Sequence, residues 1–546
     1  MSTSHDEQDP PEHTVGPVPE GEPRFRPYHH PAAGWGAAES VTRFLARERS
    51  PVDGPRAIMK MNHEDGGFDC PGCAWPDDLK GLHLDICENG IKHVTWEMTR
   101  KRVGREFFAA HSVTELSGWS DFDLENQGRL TEPMVYDAAS DHYVPISWKD
   151  AFEVVGAALR GLDDPNRAAF YTSGRLGNEA TFLYQLMARE LGTNNLPDCS
   201  NMCHEASGRA LTASLGTGKG TVDLKDWESA DALFILGVNA ASNAPRMLTA
   251  LSEAHRRGAQ IVHINPLVEA AATRTIVPHD FMDMALFKST PTSTLNLQPR
   301  IGGDMALLRG MAKAVLEQSA SDPKALDQEF IARYTTGFAE YRALCEATPW
   351  EEIEHQSALS RADILKAARV YGEADRSIVS WCLGLTQHEH GVDTVREVVN
   401  LLLLRGNLGR EGAGPSPVRG HSNVQGNRTC GIDHRPTDAF LDRLTEACGI
   451  TPPASTGWTP SARSRRCSAA RSRCSWPWAA TSPWRRPTPR PPSRRCAPAT
   501  SPSRSAPSST GAISSTAPGR SSCRAWAGPR RTISARASSP PPSRTR

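Results

Sequence analysis

Two close pairs of cysteine residues could do metal chemistry in this chain. Cys70 and Cys73 form a Cys-Pro-Gly-Cys motif, and Cys199 and Cys203 lie in the segment PDCSNMCHE. Thiolate is a soft ligand that transition metals and iron–sulfur clusters accept. Nine of the 13 cysteines precede residue 457, and this pairing favours metal binding in a reducing compartment over a disulfide framework. We therefore expect a cytoplasmic protein with a metal site.

A second chemical signal is the segment GVNAASNAPR, which directly follows a buried-strand pattern and opens a helix. The backbone amides and the asparagine side chains of such a turn face the positive end of the helix, where a phosphate or a pterin would fit. An ordinary turn with capping asparagines is the alternative. The ligand-binding candidates in this turn are Gly237, Asn239, Asn243 and Arg246.

Four other segments place glycine or amide side chains at comparable strand ends, which favours one shared crevice over several unrelated turns. The candidates are Gly174 and Asn178 in SGRLGNE, Asn265 in INP, Gln387 in TQHEHG, and Gly420, Asn423 and Gln425 in RGHSNVQG.

The elements that must position these residues alternate regularly between strand and helix. Short apolar strand patterns occur in AAFYTS, ADALFILGVN, QIVHINP and SIVSWCLG. Helical periodicity follows or precedes them in WKDAFEVVGAALRGL, NEATFLYQLMARELG, APRMLTALSEAHRRG and VREVVNLLLLRGNLG. This alternation predicts an α/β fold with doubly wound parallel sheets and helices on both faces.

Composition divides the chain into four predicted regions. Residues 1–30 are acidic and proline-rich, which predicts a disordered leader that is neither a signal peptide nor a membrane span. Residues 31–135 mix aromatic, glycine and cysteine residues, as expected of an irregular N-terminal domain around a metal site. Residues 136–457 carry the α/β pattern, and residues 458–546 form a tail of different character.

The tail gives the chain its apparent neutrality. The whole chain has 62 Lys and Arg against 62 Asp and Glu, yet the tail holds 18 arginines and no Lys, Asp or Glu. The first 457 residues are thus acidic, which argues against a nucleic-acid partner. A basic, disordered tail that binds nucleic acid is one interpretation of the last region.

A frameshift near residues 455–458 is the interpretation we favour for the tail. In the neighbouring reading frame, the codons permit LVALGGNFALATPDT from Cys474 into Pro489 and TKLNRSHLVHG from Ala506 into Ala517. Both strings look like folded protein. An inactive, truncated remnant is therefore an alternative to an active enzyme.

The segment LLLLRGNLGREGAGPSPVRGHSNVQG resembles the pterin-binding segment of formate dehydrogenases and other large molybdopterin oxidoreductases. With DCPGCAWPD, PDCSNMCHE, GVNAASNAPRM and RIGGDMALL, the likeness is greatest to the branch called the oxidoreductase alpha (molybdopterin) subunit family. It covers roughly residues 30–457, and the shifted-frame strings resemble a continuation of such a protein.

The resemblance implies a multidomain molybdopterin-oxidoreductase-like fold that binds two molybdopterin guanine dinucleotides, one molybdenum and a nearby [4Fe-4S] cluster. It further implies two-electron chemistry on a small substrate, with formate favoured, and an electron-transfer partner that the sequence does not identify. Cys70, Cys73 and Cys87 become the candidate cluster ligands, with a zinc site or buried free thiols as alternatives.

Cys203 followed by His204 resembles the selenocysteine–His or Cys–His pair that formate dehydrogenases place at the metal. Cys203 is thereby a candidate metal ligand and catalytic residue, and His204 a candidate proton acceptor. A purely structural pairing of Cys199 with Cys203 is the alternative. The chain departs from the family pattern at Asp77, where another cysteine is expected, and at Glu205-Ala206, where Gly-Pro is usual.

Overall fold

The computed structural model describes residues 30–50, 52–63, 66–77 and 86–458, together with two two-residue strands at Trp476–Pro477 and Ser534–Ala535. The predicted leader, except its last residue, and the tail beyond residue 458, except those two strands, lie outside the described residues. The frameshift prediction therefore concerns a tail that lies almost wholly outside the described residues. The four domain limits remain predictions.

The centre of the fold is a five-stranded parallel sheet, whose strands are numbered here in chain order. They are β1 (Ala232–Leu236), β2 (Gln260–Ile264), β3 (Leu295–Leu297), β4 (Ser377–Trp381) and β5 (Gly414–Pro417). The spatial order is β3-β2-β1-β4-β5, with every neighbouring pair parallel. The chain thus winds outward in both directions from β1 and β4, which confirms the predicted doubly wound α/β fold.

Both faces of this sheet are buried, because successive residues of a strand point to opposite sides. Phe234 and Leu236 pack into one apolar core, while Leu233 and Ile235 pack into another. The first core includes residues of the helices Asp304–Gln318 and Gly391–Leu404, and the second includes residues of Met247–Arg256. Strands covered on both sides therefore appear in the sequence as continuous apolar runs.

A buried charged group joins the helices of the first core. Arg309 forms an ion pair with Glu397, and the Tyr341 hydroxyl donates a hydrogen bond of 2.7 Å to the same carboxylate. All three side chains are buried. Because an unpaired buried charge is costly, this group fixes how the helices Asp304–Gln318, Phe338–Ala347 and Gly391–Leu404 meet.

The remaining elements are short, and most helices begin with a side-chain cap or a glycine. The other helices are Gly34–Arg47, Asp53–Ile58, Glu88–Glu97, Arg105–Ala110, Val113–Leu116, Asp121–Asn126, Trp148–Arg160, Asn178–Glu190, Ser200–Cys203, Glu205–Leu215, Leu224–Ser229, Ala240–Asn243, Phe281–Ala285, Gln328–Tyr334, Trp350–Ser357, Arg361–Glu373, Leu383–Thr386, Val424–Thr429 and Asp438–Cys448, with 3-10 turns at Pro165–Arg167, Ala270–Ala272 and Pro323–Ala325. The other strands are Ala32–Ala33, Arg102–Val103, Arg129–Leu130, Met134–Asp137, His142–Pro145, Phe170–Tyr171, Arg274–Ile276, Thr290–Pro291 and Thr335–Thr336.

The predicted strand AAFYTS differs from the others, because its ordered part, Phe170–Tyr171, does not join the central sheet. Phe170–Tyr171 pairs in parallel with Trp476–Pro477. The next residue, Thr172, forms an isolated bridge with Asp198. The helices Trp148–Arg160 and Asn178–Glu190 flank this small lobe. Across the described ranges, no helix is both long and apolar enough to cross a bilayer.

Candidate functional site

Two glycines bring the loops after β1 and β4 into contact at the carboxyl edge of the sheet. Gly237 has φ +60°, and a Cβ built on it would lie 2.7 Å from the Cα of Gly384. The Gly384 amide donates to the Gly237 carbonyl at 3.2 Å. Only glycine allows this approach, because a methyl group on either residue would strike backbone. The contact lies where the winding direction of the sheet reverses, which is the usual ligand position in such folds.

The Cys203 segment is held against the loop that follows β4. Thr386 Oγ1 donates to the Cys203 carbonyl at 2.8 Å, and Gln387 Nε2 donates to the Met202 carbonyl at 2.5 Å. A Cβ on Gly420 would lie 3.9 Å from Cys203 Sγ. The thiol therefore lies beside the segment that follows β5, and the structure brings together Cys203, Gln387 and Gly420 as the sequence predicted.

His204 is buried next to this thiol and has an unusual hydrogen-bond state. Its Nδ1 lies 3.1 Å from Ser207 Oγ, and its Nε2 has no hydrogen-bond partner among the described residues. Trp381 Nε1 donates to the same Ser207 oxygen at 2.9 Å, and that oxygen can also accept a hydrogen bond from a protonated His204 Nδ1. The ring is thus oriented from β4.

Burial lowers the pKa of His204 to about 4, and the neighbouring Arg419 lowers it further, while the Val418 carbonyl opposes both effects. The imidazole is therefore neutral near pH 7. A neutral ring can accept a proton, but the resulting imidazolium needs a negative charge nearby to offset its burial.

Arg419 is a site residue that was not predicted from the sequence. Its Nη2 donates to the Gly218 carbonyl at 2.8 Å, and burial lowers its pKa while Cys203 opposes the shift. The guanidinium remains charged. It lies in the same RGHSNVQG segment as three predicted residues, so the motif pointed to it, but the distance to Cys203 required the fold.

Cys199 lies one helical turn before Cys203 and contacts a different residue. Its sulfur is 3.1 Å from His421 Nδ1, and a Cβ on Gly174 would come within 3.0 Å of that sulfur. Burial raises the pKa of Cys199 to about 12. Cys199 is thus a buried thiol packed between loops, and neither it nor Cys203 forms a disulfide with a described cysteine.

Three predicted ligand-binding residues bind one another across two loops. Asn423 Nδ2 donates to Asn178 Oδ1 at 2.9 Å and to the Leu176 carbonyl at 2.6 Å. The Asn423 amide also donates to the Gly174 carbonyl at 2.6 Å. These bonds join the loop before the helix Asn178–Glu190 to the start of the helix Val424–Thr429.

The other predicted residues are more scattered. Asn239 caps the helix Ala240–Asn243 through the Ser242 amide at 3.3 Å, and Asn265 Nδ2 donates to Glu269 at 3.3 Å. Asn243 and Gln425 are exposed. Asn239 and Asn265 thus occupy strand ends as predicted, and both make the contacts of ordinary turns.

Arg246 faces the N-terminal cysteines instead of the crevice. Its Nη1 lies 2.7 Å from Asp77 Oδ1, and its Nη2 donates to the Trp75 carbonyl. Asn89, beside the Cys87 cap, donates to the Ser242 carbonyl at 2.8 Å. The helix pair after β1 therefore contacts the N-terminal region directly.

Cys70, Cys73 and Cys87 are gathered around two glycines. The Gly72 amide donates to Cys70 Sγ at 3.4 Å, and the Gly90 amide donates to Cys87 Sγ at 3.4 Å. A Cβ on Gly90 would lie 2.8 Å from Cys70 Sγ, so both sulfurs contact the same residue. Burial raises the pKa of Cys87 to about 12, and Cys70 and Cys73 raise it further.

Within the described ranges, no group of three or more His, Cys, Asp or Glu side chains is arranged around the position of a single metal ion. A cluster differs from a single ion in this respect, because each thiolate binds a different iron atom.

The comparisons with known proteins agree with this geometry. The family model "Molybdopterin oxidoreductase" matches residues 129–453. "Protein YdeP" of Escherichia coli K12 is 47% identical over 439 residues, which is 80% of this chain and 58% of that protein. "Uncharacterized oxidoreductase Rv2900c" of Mycobacterium tuberculosis is 46% identical over 404 residues, which is 74% of this chain and 52% of that protein.

A more distant relative is the "F420-dependent formate dehydrogenase subunit alpha" of Methanocaldococcus jannaschii. It is 30% identical over 304 residues, covering 56% of this chain and 41% of that protein. The chain thus spans between about two fifths and three fifths of the lengths of these three relatives.

Proposed function

Because this chain belongs to the molybdopterin oxidoreductase family, we propose that it oxidises or reduces a small substrate by two electrons, with formate as the first candidate. The family implies a molybdenum–pterin cofactor. The observation that supports the proposal most is the meeting of Cys203, His204 and Arg419 at the carboxyl edge of β4 and β5.

The residues at this edge fit a pterin cofactor. Gly237 and Gly384 leave no side chain between the two strand-end loops, and Gly420 keeps the space beside Cys203 Sγ free of a Cβ. The Val418 carbonyl, in the segment after β5, faces the His204 ring. We propose that these loops, with Gln387 and the Asn178–Asn423 pair, hold the cofactor.

We assign distinct roles to the three site residues. Cys203 would bind the molybdenum through its thiolate, a soft ligand. When bound, the cofactor supplies the two-electron acceptor. Arg419 would attract and orient a small anion beside Cys203, because a guanidinium matches the two oxygens of a carboxylate.

His204 would accept the proton that leaves with the electron pair. Its neutral state near pH 7 is the proton-accepting form, and Nε2 would accept the proton in the tautomer in which Nδ1–H donates to Ser207 Oγ. The Cys203 thiolate beside it would stabilise the imidazolium that forms. Ser207 and Trp381 act by positioning the ring and do not touch the substrate.

Formate is favoured because the site pairs a guanidinium with a confined thiol, which selects a very small anion. The formate dehydrogenase named among the relatives supports the same choice. Glu205 forms an ion pair with Arg209 and accepts from Asn201 Nδ2 at 3.1 Å, so it is occupied in holding its own helix. The departure from Gly-Pro at this point therefore leaves the Arg419 side of the site intact.

We further propose that the cofactor is the bis(molybdopterin guanine dinucleotide) form and that a [4Fe-4S] cluster passes electrons to a separate acceptor protein. The three thiols around Gly72 and Gly90 fit a cluster, since two of their sulfurs already accept backbone N–H donors. Their position beside Arg246 and Asn89 connects them to the loop after β1.

The function is tested by expressing the full chain under molybdenum-replete, anaerobic conditions and following formate oxidation with a viologen dye. We expect formate-dependent dye reduction that Cys203→Ser abolishes, with molybdenum and pterin content measured in the same samples. Cys199→Ser is the matched control, because it removes a thiol one helical turn away. Activity that survives Cys203→Ser would remove this thiol from the chemistry, and a chain without molybdenum would favour the inactive form.

A further inference from the structure

The helix Met247–Arg256 borders a groove of about 480 Å³ on the surface of the protein. We propose that residues 20–29, the leader segment, bind in this groove. Of the ligand-binding candidates identified in the sequence, only Arg246 lines it. Its other walls are the helix Leu224–Ser229, the segment 277–282 and the loop 75–76.

The groove has an apolar floor and a charged rim. Trp75 and Trp227 are buried at its floor and pack edge to face, with ring centroids 5.3 Å apart. Phe281 lines the same groove and is 83% exposed, so it has apolar surface left to bury. Glu253 and Arg257 are exposed and place both charges at the rim. An apolar centre with a polar rim is typical of a surface that binds a polypeptide.

A buried hydroxyl group at the groove also lacks a hydrogen bond. Ser252 lines the groove and is 1% exposed, and its Oγ has no partner in the part of the chain that the structure describes. Buried hydroxyl groups normally have a partner. The amide and carbonyl groups of a polypeptide backbone can supply one. The groove therefore suits an occupant that brings backbone polar groups with it.

The leader enters the fold next to this groove. Ala32–Ala33 pairs in parallel with the strand Arg274–Ile276, and the next residue after that strand, Val277, lines the groove. The ten residues before His30 can reach about 33 Å when extended, whereas the ten-residue helix beside the groove is about 15 Å long. The leader segment is thus tethered within reach of the groove, at a high effective concentration.

The sequence of the leader segment, EGEPRFRPYH, matches the chemistry of the groove. Its two glutamates and two arginines complement a rim that carries both charges. Phe25 and Tyr28 offer two rings for the apolar floor and the exposed Phe281. Pro23 and Pro27 favour an extended backbone, which lowers the entropy cost of binding.

The bound leader segment covers the loop that follows Cys73. Pro76 is exposed and lines the groove. Arg246, also in the groove, holds this loop through Asp77 Oδ1 at 2.7 Å and through the Trp75 carbonyl. The leader segment therefore limits which molecules reach the Cys-Pro-Gly-Cys motif from this side.

Photo-cross-linking in the full chain tests this assignment and needs neither cofactor nor substrate. The chain carries p-benzoylphenylalanine in place of Phe25, and mass spectrometry identifies the residues that it labels. We expect labelling of residues 247–257 or 277–282 of the same chain. Thr249→Glu, in the groove, should reduce this labelling by about 5-fold or more, because it places a charge against the bound rings. Ala285→Glu, at an exposed position outside the groove, should leave it unchanged.

A peptide competition gives a second measurement that leaves every described residue unchanged. Phe25→Ala with Tyr28→Ala should free the groove, so the synthetic peptide EGEPRFRPYH should bind this variant. The unmodified chain should bind the peptide about 10-fold more weakly, because its own tethered segment competes for the groove. The peptide with both aromatic residues changed to alanine is the control, and it should bind neither chain.

Three results would overturn the proposal. Labels outside the groove would place the leader segment elsewhere. Labels that join heavy-isotope to light-isotope chains in a mixed sample would assign the groove to a second copy of this chain. Equal affinity of the peptide for the variant and the unmodified chain would show that the leader segment does not occupy the groove.

Discussion

The two cysteine sites of this protein are built in opposite ways. The N-terminal site takes its three thiols from one stretch, residues 70–87, and short local contacts with Gly72 and Gly90 arrange them. The site around Cys203 takes its residues from segments after three separate elements, with Thr386 and Gly420 far along the chain. A local site can be recognised from a motif, whereas a site at a sheet edge depends on the whole fold.

The largest expected effect separates the two sites functionally. Cys203→Ser should lower formate-dependent turnover by about 100-fold or more, because loss of a metal ligand exceeds the usual cost of losing its supporting contacts. Iron content should be unchanged. Cys70→Ser should lower the iron content and leave the molybdenum content unchanged. Both contents can be measured by plasma mass spectrometry, and equal loss of both metals in either variant would show that the sites are not independent.

The sheet-edge site should be the less tolerant of added backbone bulk. Gly237→Ala should lower the free energy of unfolding by about 3 kcal/mol, through the clash with Gly384 and the positive φ. Gly258→Ala is the control, since Gly258 also has positive φ but no atom within 4 Å of its added Cβ. Denaturant unfolding should show a loss of about 1 kcal/mol for the control. Equal losses in both variants would contradict the close contact.

The positioning of His204 predicts a smaller effect at the same edge. Ser207→Ala should cost about 2 kcal/mol of unfolding free energy, because Trp381 Nε1 loses its buried acceptor. Ser214→Ala, on the same helix, is the control: Ser214 is buried, and its hydroxyl has no hydrogen-bond partner in the described ranges. Chemical denaturation checks both variants. A cost for Ser214→Ala as large as for Ser207→Ala would dismiss the proposed bond.

A pH-dependent effect concerns the sheet behind the site. Burial lowers the pKa of His263 on β2 to about 4, against an ordinary value of 6.5. Below pH 6.5 the unfolded chain binds a proton at His263 that the folded chain does not bind. The free energy of unfolding therefore falls as pH drops towards 4. The contribution is about 1.4 kcal/mol per pH unit.

His263→Gln should remove this contribution and can still donate to the Thr292 carbonyl, which lies 3.0 Å from His263 Nε2. The free energy of unfolding, measured between pH 6.5 and 4.5, should then fall less steeply as pH drops. The slope should decrease by about 1.4 kcal/mol per pH unit, which is the contribution of one bound proton. His355→Gln, at an exposed position, is the matched control. An unchanged slope in His263→Gln would contradict a buried, neutral His263.

Much of the fold could be predicted because buried parallel strands leave a strong pattern. The apolar runs ADALFILGVN, QIVHINP and SIVSWCLG fall on β1, β2 and β4, and the predicted helices occupy the segments between them. The strand Phe170–Tyr171 was predicted as part of the same alternating pattern, but it lies outside the central sheet. A short apolar run does not specify which sheet it joins. Pairing between strands is decided by tertiary contacts.

Candidate site residues were less completely predictable for the same reason. Glycine and asparagine at strand ends could be identified from local pattern, and Gly237, Asn178 and Asn423 do lie at the crevice. Arg419 and the Trp381–Ser207 pair could not, because nothing local distinguishes a side chain that meets Cys203 or His204 from any other. The roles of all these residues remain predictions.

Ligation of molybdenum by Cys203 can be measured by X-ray absorption at the molybdenum edge, on the purified chain and on Cys203→Ser and Cys199→Ser. We expect Cys203→Ser to lose one sulfur neighbour of molybdenum, while Cys199→Ser gives the spectrum of the unmodified chain. Identical sulfur coordination in the unmodified chain and Cys203→Ser would contradict it.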